Sequence, residues 1–141
     1  MKNYSDLQDI DTRLNLVIEL APVGKPTATV IINDKQYDYP QLLNPIIINE
    51  YLPLMELINI DIILSNKHYT LEYETAVIIK RLSIDNIDLI PNYDYLAKYV
   101  NDHDNHNPTS YLGFNGKWTL TFDRPFYHWL HKHSGQGWLI G

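Results

Sequence analysis

A chain of 141 residues, 45% hydrophobic and 20% charged, suggests a single domain that can bury a core without staples. The absence of cysteine excludes a disulfide framework, a thiolate metal site and a cysteine nucleophile. A formal charge of −6 argues against general nucleic-acid binding, which needs a basic face to neutralise phosphates.

Residues 1–12 read as a polar arm, because MKNYSDLQDID carries acids and no apolar run. That composition predicts no secretory leader, and since no apolar stretch of the chain approaches the length of a bilayer span, a soluble chain is expected. A single domain is expected over 13–141. Arg13–Leu20 alternates: Leu14, Leu16, Ile18 and Leu20 face one way, Arg13, Asn15 and Glu19 the other. Period-2 patterning predicts a half-buried strand. Ala21–Pro26 reads as a turn, since two prolines and a glycine interrupt a ladder. Thr27–Ile32 is β-branched and predicts the next strand. Asn33-Asp34 predicts a tight hairpin turn into a returning strand at Lys35–Tyr39.

Pro45–Leu52 predicts a short strand and Leu57–Ser65 a better one, with Ile58, Ile60, Ile62 and Leu64 on one face. Ser65–Lys67 is a turn. Tyr69–Leu82 reads as extended, because its Thr, Val and Ile density favours strand over helix. Ile84–Ile90 repeats the pattern, with Asp85-Asn86 as a hairpin tip or bulge. After Pro91, Tyr93–Val100 predicts a short helix with Leu96, Tyr99 and Val100 on one side. Asn101–Ser110 is loop. Asn115-Gly116 predicts a hairpin turn into Lys117–Phe122, whose Trp118, Leu120 and Phe122 point inward. Asp123 as N-cap, Pro125 in the first turn and Gly135 as terminator predict a helix within 123–135. Phe126, Trp129, Leu130 and His133 fall on one of its faces. Seven or more strands with regular turn signals predict an all-β fold: an antiparallel β-sandwich, jelly-roll-like, with a short C-terminal helix.

Five of the six histidines and all three tryptophans fall after residue 100. In the loop, Asp102 and Asp104 are hard oxygen donors suited to calcium, whereas His103 and His106 suit zinc. The mixture, without an EF-hand glycine and distal glutamate, also fits a solvated loop of local turns. Asp102, Asp104 and His106 stand as weak candidate ligands for a divalent metal; no other cofactor is expected. His128, His131 and His133 lack the HEXXH pattern, and an amphipathic helix places such residues on its wet face by default. Asp85, Asp88, Glu72 and Glu74 raise the question of a glycosidase carboxylate pair, although surface alternation explains all four. No catalytic residue is assigned. Trp118 and Trp129 fit core packing. Tyr93, Tyr95, Tyr99 and Tyr111 flank the polar loop, where aromatic faces beside hydrogen-bond acceptors suit a sugar ring. The expected ligand site is Tyr93, Tyr95, Asp102, His103 and Asp104, since loops on a rigid scaffold carry recognition more often than strand faces.

The run Phe122–Trp138, FDRPFYHWLHKHSGQGW, together with Tyr111–Trp118, YLGFNGKW, resembles the closing segment of small uncharacterised proteins from tailed phages of marine cyanobacteria. The Ile-rich strand order before it looks like that of β-sandwich carbohydrate-binding modules. The first resemblance implies a phage context, with the chain in the host cytoplasm or associated with the virion. The functional expectation is a non-enzymatic binding module for a glycan or a protein, with neither nucleic acid nor membrane as partner. The alternatives are a metal-dependent enzyme using the 101–107 loop and a purely structural virion subunit.

Overall fold

A computed structural model describes residues 13–53, 57–67, 74–90, 96–101, 110–122 and 126–134. Among them run ten strands and one helix: β1 Arg13–Val23, β2 Ala28–Ile32, β3 Lys35–Tyr39, β4 Ile46–Pro53, β5 Ile58–Leu64, β6 Ala76–Ile84, β7 Ile87–Ile90, β8 Lys98–Asn101, β9 Tyr111–Leu112, β10 Gly116–Phe122 and α1 Phe126–Ser134. They form two five-stranded antiparallel sheets. Sheet A has the order β4-β1-β6-β7, with β9 also on β6; sheet B has the order β3-β2-β5-β10-β8. The chain is an antiparallel β-sandwich with a short C-terminal helix.

The alternation read from the sequence is the physical cause of the layering. Leu14, Leu16, Ile18 and Leu20 of β1 are fully buried, and so are Ile58, Ile60 and Ile62 of β5 and Trp118, Leu120 and Phe122 of β10. Each such side chain contributes about 1.5–3 kcal/mol on leaving water. A register slip of one residue would turn all of them outward, so the pairing is strongly specified. The helix closes one end: Phe122 meets Phe126 edge-on at 5.5 Å and Trp129 at 4.6 Å between ring centroids.

Two hairpin tips are where the turn chemistry puts them. Asn33, at φ 54°, links β2 to β3; Asp85 and Asn86, at φ 50° and 65°, link β6 to β7. Asp85 is also a staple, its Oδ1 accepting the Asn15 N–H at 2.8 Å while its own N–H donates to the Asn15 carbonyl.

Three local expectations are corrected. β1 runs on through Pro22 to Val23 instead of turning at Ala21, with Pro22 opposite Val77. The β1–β4 ladder ends at the Leu20–Ile46 pair, so among the described residues no strand pairs with β1 beyond it on that side. A proline is tolerated where its missing N–H faces no partner. Residues 98–100, expected to be helical, and Asn101, expected in a loop, form β8 against β10, and Tyr99 and Val100 point to opposite faces, the first buried and the second 58% exposed. Asn115-Gly116 is not a hairpin turn: β9 lies in sheet A and β10 in sheet B, so this stretch is a corner between layers. A Cβ on Gly116 would come within 2.3 Å of the Val100 carbonyl, so close strand approach explains that glycine.

Candidate functional site

The connections β1–β2, β5–β6 and β9–β10 meet at the end of the sandwich opposite the helix, and side-chain amides tie them together. Asn66 Oδ1 accepts the Thr27 N–H at 2.7 Å, and its Nδ2 donates to the Lys25 carbonyl at 3.0 Å. Asn115 does the same for Lys67, accepting its N–H at 2.7 Å and donating to its carbonyl at 2.8 Å. The Tyr99 hydroxyl, on a ring only 2% exposed, donates to the Phe114 carbonyl and accepts the Phe114 N–H at 3.0 Å. Each device satisfies backbone groups that a corner would otherwise leave unpaired.

On this scaffold sits a charged and aromatic group. Lys67 pairs with Glu74, and its Nζ lies 5.9 Å from the centroid of the Phe114 ring. Glu74 Oε1 also accepts the Thr75 N–H at 3.1 Å, and the Tyr111 hydroxyl hydrogen-bonds the same carboxylate. The Lys67 ammonium above all, then the Thr75 N–H and the Tyr111 hydroxyl, hold the Glu74 carboxyl below its ordinary range against a smaller opposing effect of burial. Burial foremost, then the Glu74 charge, pushes the Tyr111 phenol up. At neutral pH Glu74 is therefore an ionised acceptor and Tyr111 a neutral donor.

The ring of Tyr111 is placed by a missing side chain. A Cβ on Gly113 would meet its Cε1 at 2.9 Å and its Cδ1 at 3.3 Å, so only glycine lets the ring lie back there. Tyr111 remains 42% exposed, and the Glu74 side chain 46%, whereas the Lys67 side chain is 14% exposed. Tyr111 and Glu74 thus face solvent while Lys67, Phe114 and Asn115 hold them in place. The arrangement can stack an apolar ring face and accept hydroxyl hydrogen bonds. With its carboxylate ionised, Glu74 acts as an acceptor rather than as a proton donor at neutral pH.

The residues expected to bind a ligand, Tyr93, Tyr95, Asp102, His103 and Asp104, lie outside the described residues, as does His106 of the metal candidates. Their flanks are described: Asn101 pairs with Gly116, and the Ser110 carbonyl accepts the Ile79 N–H at 2.7 Å. Segment 102–109 therefore leaves and rejoins the fold close to the Tyr111 group. Of the four flanking tyrosines, Tyr99 is a core residue and Tyr111 is exposed. Among the described carboxylates, Glu74 is not brought together with Asp85 and Asp88, which share the β6–β7 hairpin. Glu74 precedes β6 and Asp85 follows it, about 30 Å apart for a nine-residue strand. Asp88 pairs with Arg81, and Glu72 lies outside the described residues. Of the helix histidines only the His131 side chain is described, half-buried. No three His, Asp or Glu among the described residues converge on a metal position, and no described helix is long and apolar enough to cross a membrane.

Sequence reasoning missed Lys67, Glu74 and Asn115 as a group. They lie 7 and 48 residues from one another along the chain. The outer face of sheet B is a second polar surface, but its groups satisfy one another. Thr121 donates to Asn59 at 2.6 Å, and Asn59 and Thr119 donate to the buried Asp61 at 3.0 and 2.7 Å.

No family model matches this chain. No curated protein matches it either. Among solved structures, one described as "vCBM60 in complex with galactobiose" is similar, with a TM-score of 0.47 and 9% identity over 74% of this chain and 95% of that one.

Proposed function

We propose that this chain is a non-catalytic recognition module that binds a glycan at the loop end of the sandwich. The observation supporting this is the exposed Tyr111 ring, seated on Gly113 beside the ionised Glu74 carboxylate. A pyranose has an apolar C–H face and a rim of hydroxyls. The ring matches the first and the carboxylate the second, and both are held in place before binding, which lowers the ordering cost of association. Tyr93, Tyr95, Asp102, His103 and Asp104 belong to the same proposed site; the described residues that bound segment 102–109, Asn101 and Ser110, pair with Gly116 and hydrogen-bond Ile79. A divalent metal on Asp102, Asp104 and His106 belongs to this reading as a weak, accessory ligand. The resemblance of Tyr111–Trp118 and Phe122–Trp138 supports a phage accessory role in this reading, with the glycan on a host or virion surface.

A glycan array probed with the full chain, followed by calorimetric titration of the best ligand, tests the proposal. Tyr111→Ala is expected to weaken binding at least about tenfold, the equivalent of one lost stacking and hydrogen-bonding contact. Its unfolding midpoint should stay near wild type, because the ring is a surface group. Unchanged affinity in folded Tyr111→Ala and Glu74→Gln variants would overturn the assignment.

A further inference from the structure

The edge of sheet A is built differently from the edge of sheet B. β4 is eight residues long and, among the described residues, pairs only with β1. Its sequence, IIINEYLP, holds no lysine, its ladder with β1 holds no bulge, and its proline comes at the very end. Lysines, bulges, prolines, inward-pointing charges and short length are the devices that stop an edge from pairing with another strand; β4 carries an inward-pointing charge, Glu50 on the face of Ile48 and Leu52, and Lys35 neutralises it. The edge of sheet B beside it, β3, is five residues long and opens on Lys35, which pairs with Glu50 of β4. Three large apolar or aromatic side chains on β4 or its approach face solvent: Leu43 at 55%, Ile47 at 67% and Tyr51 at 67% exposure.

The β1–β4 register sets Ile47, Asn49 and Tyr51 on one face, opposite Glu19, Val17 and Asn15. That face is symmetric about Asn49. We infer that a second copy of this chain pairs antiparallel along β4 across a two-fold axis at Asn49. Sheet A of one copy and sheet A of the other become one continuous sheet, independently of any ligand at the loop end. Ile47 of each copy then lies opposite Tyr51 of the other, an aliphatic–aromatic cross-strand pair made twice. Charge selects this register. Centring on Glu50 would set Glu50 against itself. Centring on Ile48 would set Ile47 against Asn49 and leave both Tyr51 rings without a β4 partner. Centred on Asn49, Glu50 lies opposite Ile48 and keeps its own counter-ion, Lys35 Nζ at 3.1 Å. Two-fold, self-complementary contacts are the commonest form of homo-oligomer.

The test uses the full chain. Sedimentation velocity from about 1 to about 200 μM covers the range expected for an interface of modest area. A monomer–dimer equilibrium is expected. Ile47→Lys, a change to an exposed residue, should weaken it at least about tenfold without altering the circular-dichroism spectrum or the unfolding midpoint. The register has its own readout, because the chain has no cysteine. Paired Cα atoms in an antiparallel ladder lie about 4.5–5.5 Å apart, within disulfide range. Asn49→Cys should therefore crosslink to its own copy under mild oxidation, and Lys117→Cys, exposed on the outer face of sheet B, should not. A monomer at every concentration, or Asn49→Cys crosslinking no faster than Lys117→Cys, would overturn the inference. So would a dimer unaffected by Ile47→Lys.

Discussion

Replacing Tyr99 by phenylalanine isolates the hydrogen bonds that hold the β9–β10 corner. The ring is 2% exposed and stays buried in the variant, so the hydrophobic contribution is unchanged. What disappears is one oxygen that donates to the Phe114 carbonyl and accepts the Phe114 N–H. A net hydrogen bond is worth about 0.5–1.5 kcal/mol, and a backbone group left dry and unpaired costs about 1–3 kcal/mol. Phe114 is half-buried, so water can reach part of it. Two net bonds at that value give about 1–3 kcal/mol, with water able to meet the freed Phe114 groups. For a chain of this size that is a fall in Tm of roughly 3–12 °C. Differential scanning calorimetry measures the loss, with Tyr111→Phe as the control. The Tyr111 hydroxyl is bonded at the surface, and its removal should stay within about 0.5 kcal/mol. Because Asn115 is clamped to Lys67 next to this corner, the Lys67 amide resonance should shift in Tyr99→Phe as well. A Tm equal to wild type in Tyr99→Phe would mean that the hydroxyl does not hold the corner, and with it the positioning of the Tyr111 group.

Three further outcomes are expected. Trp118 and Trp129 are 0% and 2% exposed, so truncating either to alanine should cost about 3–5 kcal/mol, measured by urea unfolding; a variant of wild-type stability would contradict a core role. Glu74 has a folded pKa below its unfolded value, so its contribution to stability is complete above the usual carboxylate range and is lost as pH falls through the lowered value. The Tm gap between wild type and Glu74→Gln should thus be constant above about pH 5 and close at lower pH, whereas parallel acid profiles would refute the linkage. Finally, chelation should leave Tm unchanged, because Asp102, Asp104 and His106 form a mixed donor set and no cysteine is available for a closed structural site; stoichiometric metal that survives chelator, or a large drop in Tm on its removal, would show otherwise.

Features governed by neighbours in sequence were determined by the sequence alone. Side chains alternate across a strand with period 2, so the burial of Leu14 to Leu20, Ile58 to Leu64 and Trp118 to Phe122 follows from the order of residues. Asn33, Asp85 and Asn86 adopt positive φ because their short polar side chains tolerate it, and the hairpins follow from that local preference. Phe126 and Trp129, three apart, bury one helical face by the same kind of rule.

The tertiary structure decided whatever depends on which strand lies alongside. The apolar spacing of Leu96, Tyr99 and Val100 suits a helix, but the open edge of β10 offers backbone partners, and the segment joins it as β8. Tyr99 then points into the core. Tyr111 escapes that fate because β9 pairs with the edge of β6 in the other sheet. Asn115-Gly116 has the composition of a hairpin turn, yet its flanking strands belong to different layers. The site depends on the same long-range pairing. Lys67, Glu74, Tyr111 and Asn115 come together only once β5, β6, β9 and β10 have taken their places. No spacing along the chain encodes a contact 48 residues away, since the chain entropy that opposes it is overcome by burial of the whole core and not by any local preference.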